Sequence, residues 1–60
     1  MFPYQAKLIS EPDSEYARDN MRVGEMYTVF GQAGSCLEVS TDVPEDKTLI
    51  WQGRLERVLH

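Results

Sequence analysis

Apolar and polar side chains alternate with a period close to two along most of this chain, the pattern of half-buried strands. The first such run is Tyr4 to Ser10, with Tyr4, Ala6 and Leu8 on one face and Gln5, Lys7 and Ile9 on the other. Ile9 keeps the second face from being purely polar. Val23 to Gly31 is the clearest strand: Val23, Tyr27 and Val29 form its expected core set, and Met26, Thr28 and Phe30 its other face. Cys36 to Thr41 alternates well, with Leu37 and Val39 pointing one way and Glu38 and Ser40 the other. Thr48 to Gln52 carries Leu49, Ile50 and Trp51 in succession, so either both faces are covered or one is exposed. Leu55 and Val58 anchor a short closing strand, Glu56 to Leu59.

Turn chemistry separates these runs. Pro12 has no N–H for a ladder, so the first strand ends before it. The polar stretch from Glu11 to Asn20 reads as a long loop holding a short helical turn. Asp13 or Ser14 is placed to cap that turn, and Ser10 with Asp13 has capping-box spacing. Asn20, which tolerates a left-handed backbone, is expected to end it, and Glu15 and Arg18 to form an exposed pair. Gly24 permits a turn that a Cβ would resist. Gln32 to Ser35 reads as a hairpin connection, and Asp42 to Asp46 as a second turn with Pro44 presetting φ. Gly53 breaks the chain before the last strand.

The expectation is a mainly β domain over residues 1–60: a small SH3-like barrel of about five short antiparallel strands, with a helical turn in the first long loop. Curling into a barrel buries the common face and removes exposed edges. The alternative is an open meander with a short helix across it.

Length and charge narrow the picture. Sixty residues make a single small core, worth no more than ~3–5 kcal/mol without staples. Cys36 is the one cysteine, so no disulfide staple forms within the chain, which suits a reducing, cytoplasmic setting. No apolar run approaches a membrane span, and Met1-Phe2-Pro3-Tyr4 does not open like a signal peptide. Six basic against ten acidic residues give a net charge of -4. That charge disfavours nucleic acid and suits a basic protein partner.

Two stretches carry a resemblance. Val23-Gly24-Glu25 followed by Tyr27-Thr28-Val29, and the closing Trp51-Gln52-Gly53-Arg54-Leu55-Glu56-Arg57-Val58, are similar to small SH3-like proteins of bacteriophages and bacteria, most without an assigned function. In that layout the first stretch opens the second strand, and the second follows a tight turn and closes the barrel. The Ala6-Lys7-Leu8-Ile9 strand and its acidic loop fit as well. Leu55 departs from the pattern, where a larger aromatic is usual. The resemblance implies a fold, brings no site residues with it, and suggests an accessory protein acting on a host factor.

Candidate chemistry is sparse. His60 is the one histidine and stands at the chain end, unsuited to positioning an imidazole for nucleophilic catalysis. Cys36 has no basic neighbour in sequence to lower its pKa and reads as a packed side chain. Asp42, Glu45 and Asp46 lack calcium-loop spacing, and zinc ligands are missing, so no metal and no cofactor are expected. The glycines match no phosphate-binding spacing. No enzyme is expected.

Aromatics are in surplus for so small a core. In SH3-like barrels, aromatics beside the early long loop form a shallow groove for proline-rich or extended peptides. Tyr16, Phe30 and Trp51 are the candidate contacts, with Glu15 and Asp19 of the acidic loop favouring a basic protein partner. The competing expectation packs Phe30 and Trp51 into the core or a barrel end. A second functional expectation is a nucleic-acid-directed barrel, a single-strand binder using Arg18, Arg22, Arg54 and Arg57, or an acidic mimic of nucleic acid. Oligomeric state is not legible.

Overall fold

The computed structural model describes residues 1–59; the expectation for His60 lies outside them. Five strands form one antiparallel sheet: β1 (Tyr4–Leu8), β2 (Met26–Ala33), β3 (Cys36–Ser40), β4 (Lys47–Trp51) and β5 (Leu55–Arg57), in the order β4-β3-β2-β1-β5. One short helix, α1 (Glu15–Asn20), lies between β1 and β2, and a 3₁₀ turn, Gln52–Arg54, joins β4 to β5. The mainly β reading with a helical turn in the first loop is therefore correct. The sheet does not close into the expected barrel: β4 and β5 are the two ends of the order and are not paired with each other.

The alternation seen in the sequence sets the two faces of the sheet. Ala6, Leu8, Tyr27, Val29, Leu37, Val39 and Ile50 point to the concave side and are buried. Ala17 of α1 and Met21 just beyond it join that cluster. The helix thus covers apolar surface that closure of the sheet would otherwise have to bury. Leu8, Val29 and Val39 are the largest fully buried side chains. Tyr4 and Leu55 pack against the cluster from its margin.

A six-residue helix is too short to form alone. Here it is held by Ser14, whose hydroxyl accepts from the Ala17 N–H, and by burial of Ala17. Asp13 does not act as the cap, and the proposed Ser10–Asp13 box does not form, because the Asp13 carboxylate is drawn to Arg54. The helix does end at Asn20, but through Met21 in an extended conformation rather than a left-handed cap. The anticipated Glu15–Arg18 pair is replaced by Arg18–Glu11 at 3.6 Å, with Arg18 also donating to the carbonyls of Pro12 and Asp13.

β2 begins three residues later than the periodicity suggested, and Val23 is exposed rather than in the core. The reason is a turn over Arg22–Glu25, closed by the Glu25 N–H donating to the Arg22 carbonyl at 3.2 Å. Val23 occupies its second position and Gly24, at φ +97°, its third. A bulge between Val29 and Gly31 then makes Phe30 the extra residue opposite Val39 and Glu38. Past that bulge the alternation shifts: Gly31 pairs with outward-facing Glu38, and Gln32 with inward-facing Leu37. The hairpin that follows turns at Gly34, φ +63°.

Candidate functional site

The convex face of β2, β3 and β4 carries large apolar groups that the core does not use. Cross-strand pairing places Trp51 opposite Cys36, Leu49 opposite Glu38 and Lys47 opposite Ser40. Their neighbour Ile50 points the other way and is buried. Phe30 reaches this face through the bulge. Its ring lies under the Lys47 ammonium, with Nζ 4.4 Å from the centroid. Phe30, Leu49 and Trp51 are 39%, 54% and 50% exposed. The competing expectation that Phe30 and Trp51 are core residues is therefore wrong. The core volume was already filled by shorter aliphatic side chains and Tyr27.

Trp51 is seated as well as exposed. A Cβ at position 53 would overlap the indole ring, so Gly53 is what lets the ring lie over the 3₁₀ turn. The Arg54 guanidinium approaches the same ring, 5.7 Å from its centroid. Such a cation on an exposed ring contributes about 0.5–1 kcal/mol. Arg54 also reaches back to the first loop, where its guanidinium pairs with Asp13 and donates to the Ser10 hydroxyl. Its Nε is buried without a partner among the described residues.

Tyr16 is not part of this face. It projects from α1 at the end of the sheet where β4 begins, and its ring is 49% exposed. Its hydroxyl donates to Asp46 Oδ2 at 2.6 Å, and the Thr41 hydroxyl donates to the same oxygen at 2.9 Å. The hydrogen bond from Tyr16, with Thr41 second, holds the Asp46 carboxyl below its ordinary pKa. The same bond, chiefly, raises the Tyr16 phenol above its own. Glu15 and Asp19 are exposed on α1. The five candidate residues thus fall into two groups: Phe30 and Trp51 on the sheet, and Tyr16, Glu15 and Asp19 on the helix.

A second tyrosine ties the same turn from inside. Tyr27 accepts from the Arg22 N–H at 2.7 Å and donates to Asp42 Oδ1 at 3.1 Å. Burial is the main reason its pKa is raised. Asp42 and Asp46, two of the acidic groups in the turn, therefore serve as hydroxyl acceptors. Of the other acidic loop residues, Glu11 and Asp13 are answered by the chain's own Arg18 and Arg54. Arg57 lies over the Tyr4 ring, 4.4 Å from its centroid. Cys36 is half-buried on the convex side rather than packed in the core.

Lys47 and Leu49 were not singled out from the sequence, and Arg54 was named only for the nucleic-acid alternative. For Leu49 the signal was present: in a strand, Leu49 and Trp51 share a face and Ile50 takes the other. Only the cross-strand neighbours show which face is covered. Comparison with protein-family models, with curated proteins and with solved structures found no match. No helix among the described residues is long and apolar enough to cross a membrane.

Proposed function

We propose that this protein is a small non-enzymatic interaction module that docks a protein partner on the convex face of β2–β4, with Phe30 and Trp51 as anchors and Leu49 beside them. The observation that carries this reading is the placement of those three side chains, each more than a third exposed, on one face of a chain whose largest fully buried side chains are only Leu8, Val29 and Val39. Exposed aromatics fixed in position by a glycine seat and a stacked cation lose little freedom on binding, and tryptophan is enriched at binding hot spots. Glu15 and Asp19, exposed on α1 away from that face, favour a partner with a basic segment that reaches the helix. The long acidic loop after the first strand and the tight turn before the last support an SH3-like barrel left open between its outer strands. On the resemblance, the protein is a bacteriophage or mobile-element accessory acting on a host protein in the cytoplasm.

The nucleic-acid alternative has less behind it. Arg18 and Arg54 are engaged with the chain's own carboxylates, and Arg57 with Tyr4. Oligonucleotide binding that weakens steeply with salt would favour it over the protein-docking reading.

The test is capture from bacterial lysate on the immobilised protein, with quantitative mass spectrometry of what is retained. Phe30→Ala and Trp51→Ala, each with unchanged far-UV circular dichroism, are expected to lose the same retained protein by about 10- to 30-fold, as hot-spot truncations do. Equal retention by wild type and both variants overturns the assignment of this face.

A further inference from the structure

The two edges of the sheet are built differently. β5 has three residues, Leu55–Arg57, of which Glu56 and Arg57 are charged, and it follows directly on Arg54. Short, charged strands are how edges avoid pairing with other chains. β4 has five residues, Lys47-Thr48-Leu49-Ile50-Trp51, with no proline, no bulge and no charge beyond its first position.

The register shows which backbone groups of β4 are free. The Thr41 N–H donates to the Asp46 carbonyl and the Gln52 N–H to the Ser35 carbonyl, at the two ends of the β3–β4 ladder. Hydrogen-bonded pairs in an antiparallel ladder recur at every second residue. Thr48 and Ile50 therefore bond to β3, and Lys47, Leu49 and Trp51 turn their N–H and C=O groups to the open edge, where the Lys47 N–H is met by the Asp46 carboxylate and the others are free.

We propose that β4 is the pairing edge of a two-fold dimer of this chain, antiparallel β4 against β4 with Leu49 on the symmetry axis. All the outward residues have odd numbers, so a register centred on Leu49 sets the free groups of Leu49 against each other and the Trp51 N–H against the Lys47 carbonyl, while the Lys47 N–H exchanges its Asp46 acceptor for the Trp51 carbonyl of the second copy. Leu49 meets Leu49 of the second copy, and Lys47 meets Trp51 of the second copy, an ammonium beside an indole. The strand is thus complementary to itself in backbone pairing and in its Lys47–Trp51 contact, as a two-fold interface requires. The result is one sheet running through both copies, with the convex faces side by side. This inference does not depend on a host partner, because its test uses the purified protein alone.

The experiment is sedimentation velocity of the purified chain in ~0.15 M salt, where repulsion between two acidic copies is largely screened. An interface this short belongs to the weak class, with a dissociation constant of about micromolar to millimolar. The mass is expected to rise with concentration from 6.9 kDa towards twice that value. Leu49→Lys and Leu49→Glu are each expected to stay monomeric, since each sets like charges across the axis. Mixed in equal amounts, they are expected to recover the dimer. Circular dichroism of each variant confirms that the exposed substitution leaves the fold intact. A wild-type chain that stays at 6.9 kDa up to millimolar concentration overturns the proposal. So does a dimer that both single variants retain, or a mixture that fails to associate.

Discussion

Asp46 and Tyr16 show how one hydrogen bond joins elements thirty residues apart. The bond favours ionised Asp46 and neutral Tyr16, so it has two pH limits. Asp46 has a lowered folded pKa. Its contribution is complete above the ordinary carboxylate value of about 4 and is lost as pH falls through the lower folded value. Tyr16 has a raised folded pKa. Its contribution is complete below the ordinary phenol value of about 10 and is lost as pH rises through the higher folded value. Tyr16→Phe is expected to lower the urea midpoint between those limits and to converge with wild type outside them. Midpoints measured from pH 3 to 11 check this, and a pH-independent difference would contradict it.

At the scale of elements, α1 depends on its cap and on one buried methyl group. Ser14→Ala leaves the Ala17 N–H without its acceptor and is expected to cost about 1 kcal/mol, whereas Ser14→Asp keeps an acceptor and is expected to cost much less. Urea denaturation of the two variants makes the comparison; equal losses would mean that the hydroxyl is not acting as the cap. The β3–β4 turn is the opposite case, with several supports. The Asp46 N–H donates to the Val43 carbonyl, the Val43 N–H to the Thr41 hydroxyl, and two tyrosines hold its carboxylates. These bonds hold Glu45 at φ 62°, a conformation unfavourable for a residue with a Cβ. That turn leads directly into β4, so its rigidity also fixes the edge strand and Lys47 over Phe30.

For the molecule as a whole, a small core leaves little reserve. Leu8 is fully buried, pairs with Leu55 across the β1–β5 ladder, and exchanges backbone hydrogen bonds with the turn at Gly24 and Glu25. Leu8→Ala removes side-chain volume from the point where these parts meet. Core truncations of this type cost about 2–5 kcal/mol, comparable with the ~3–5 kcal/mol expected of an unstapled domain of this size. Leu8→Ala is therefore expected to be largely unfolded at room temperature, seen as collapsed amide dispersion in the proton NMR spectrum. A well-dispersed spectrum with an unshifted urea midpoint would show that the core is not centred there. Leu49→Lys, on the convex face, is expected to leave the same spectrum dispersed.

The local sequence determined most elements of this protein and their inward faces. Alternation placed Ala6, Leu8, Leu37 and Val39 correctly, because period-two burial is a property of neighbouring residues. Proline and glycine marked the breaks for the same reason. Phe30 was also assigned to the outward face, but not the bulge that makes it the extra residue, which exists only relative to β3. Val23 failed because a turn closed by Arg22 and Glu25 overrode its propensity. Arg54's reach to Asp13, Tyr16's to Asp46 and the open order β4-β3-β2-β1-β5 join residues far apart in the chain. Sheet order and side-chain partners depend on which strands meet, and that is decided by burying one shared core rather than by any local stretch. The exposure of Trp51 belongs to the same class: its strand was legible, but only packing decided that Ile50 turns inward and the indole stays at the surface.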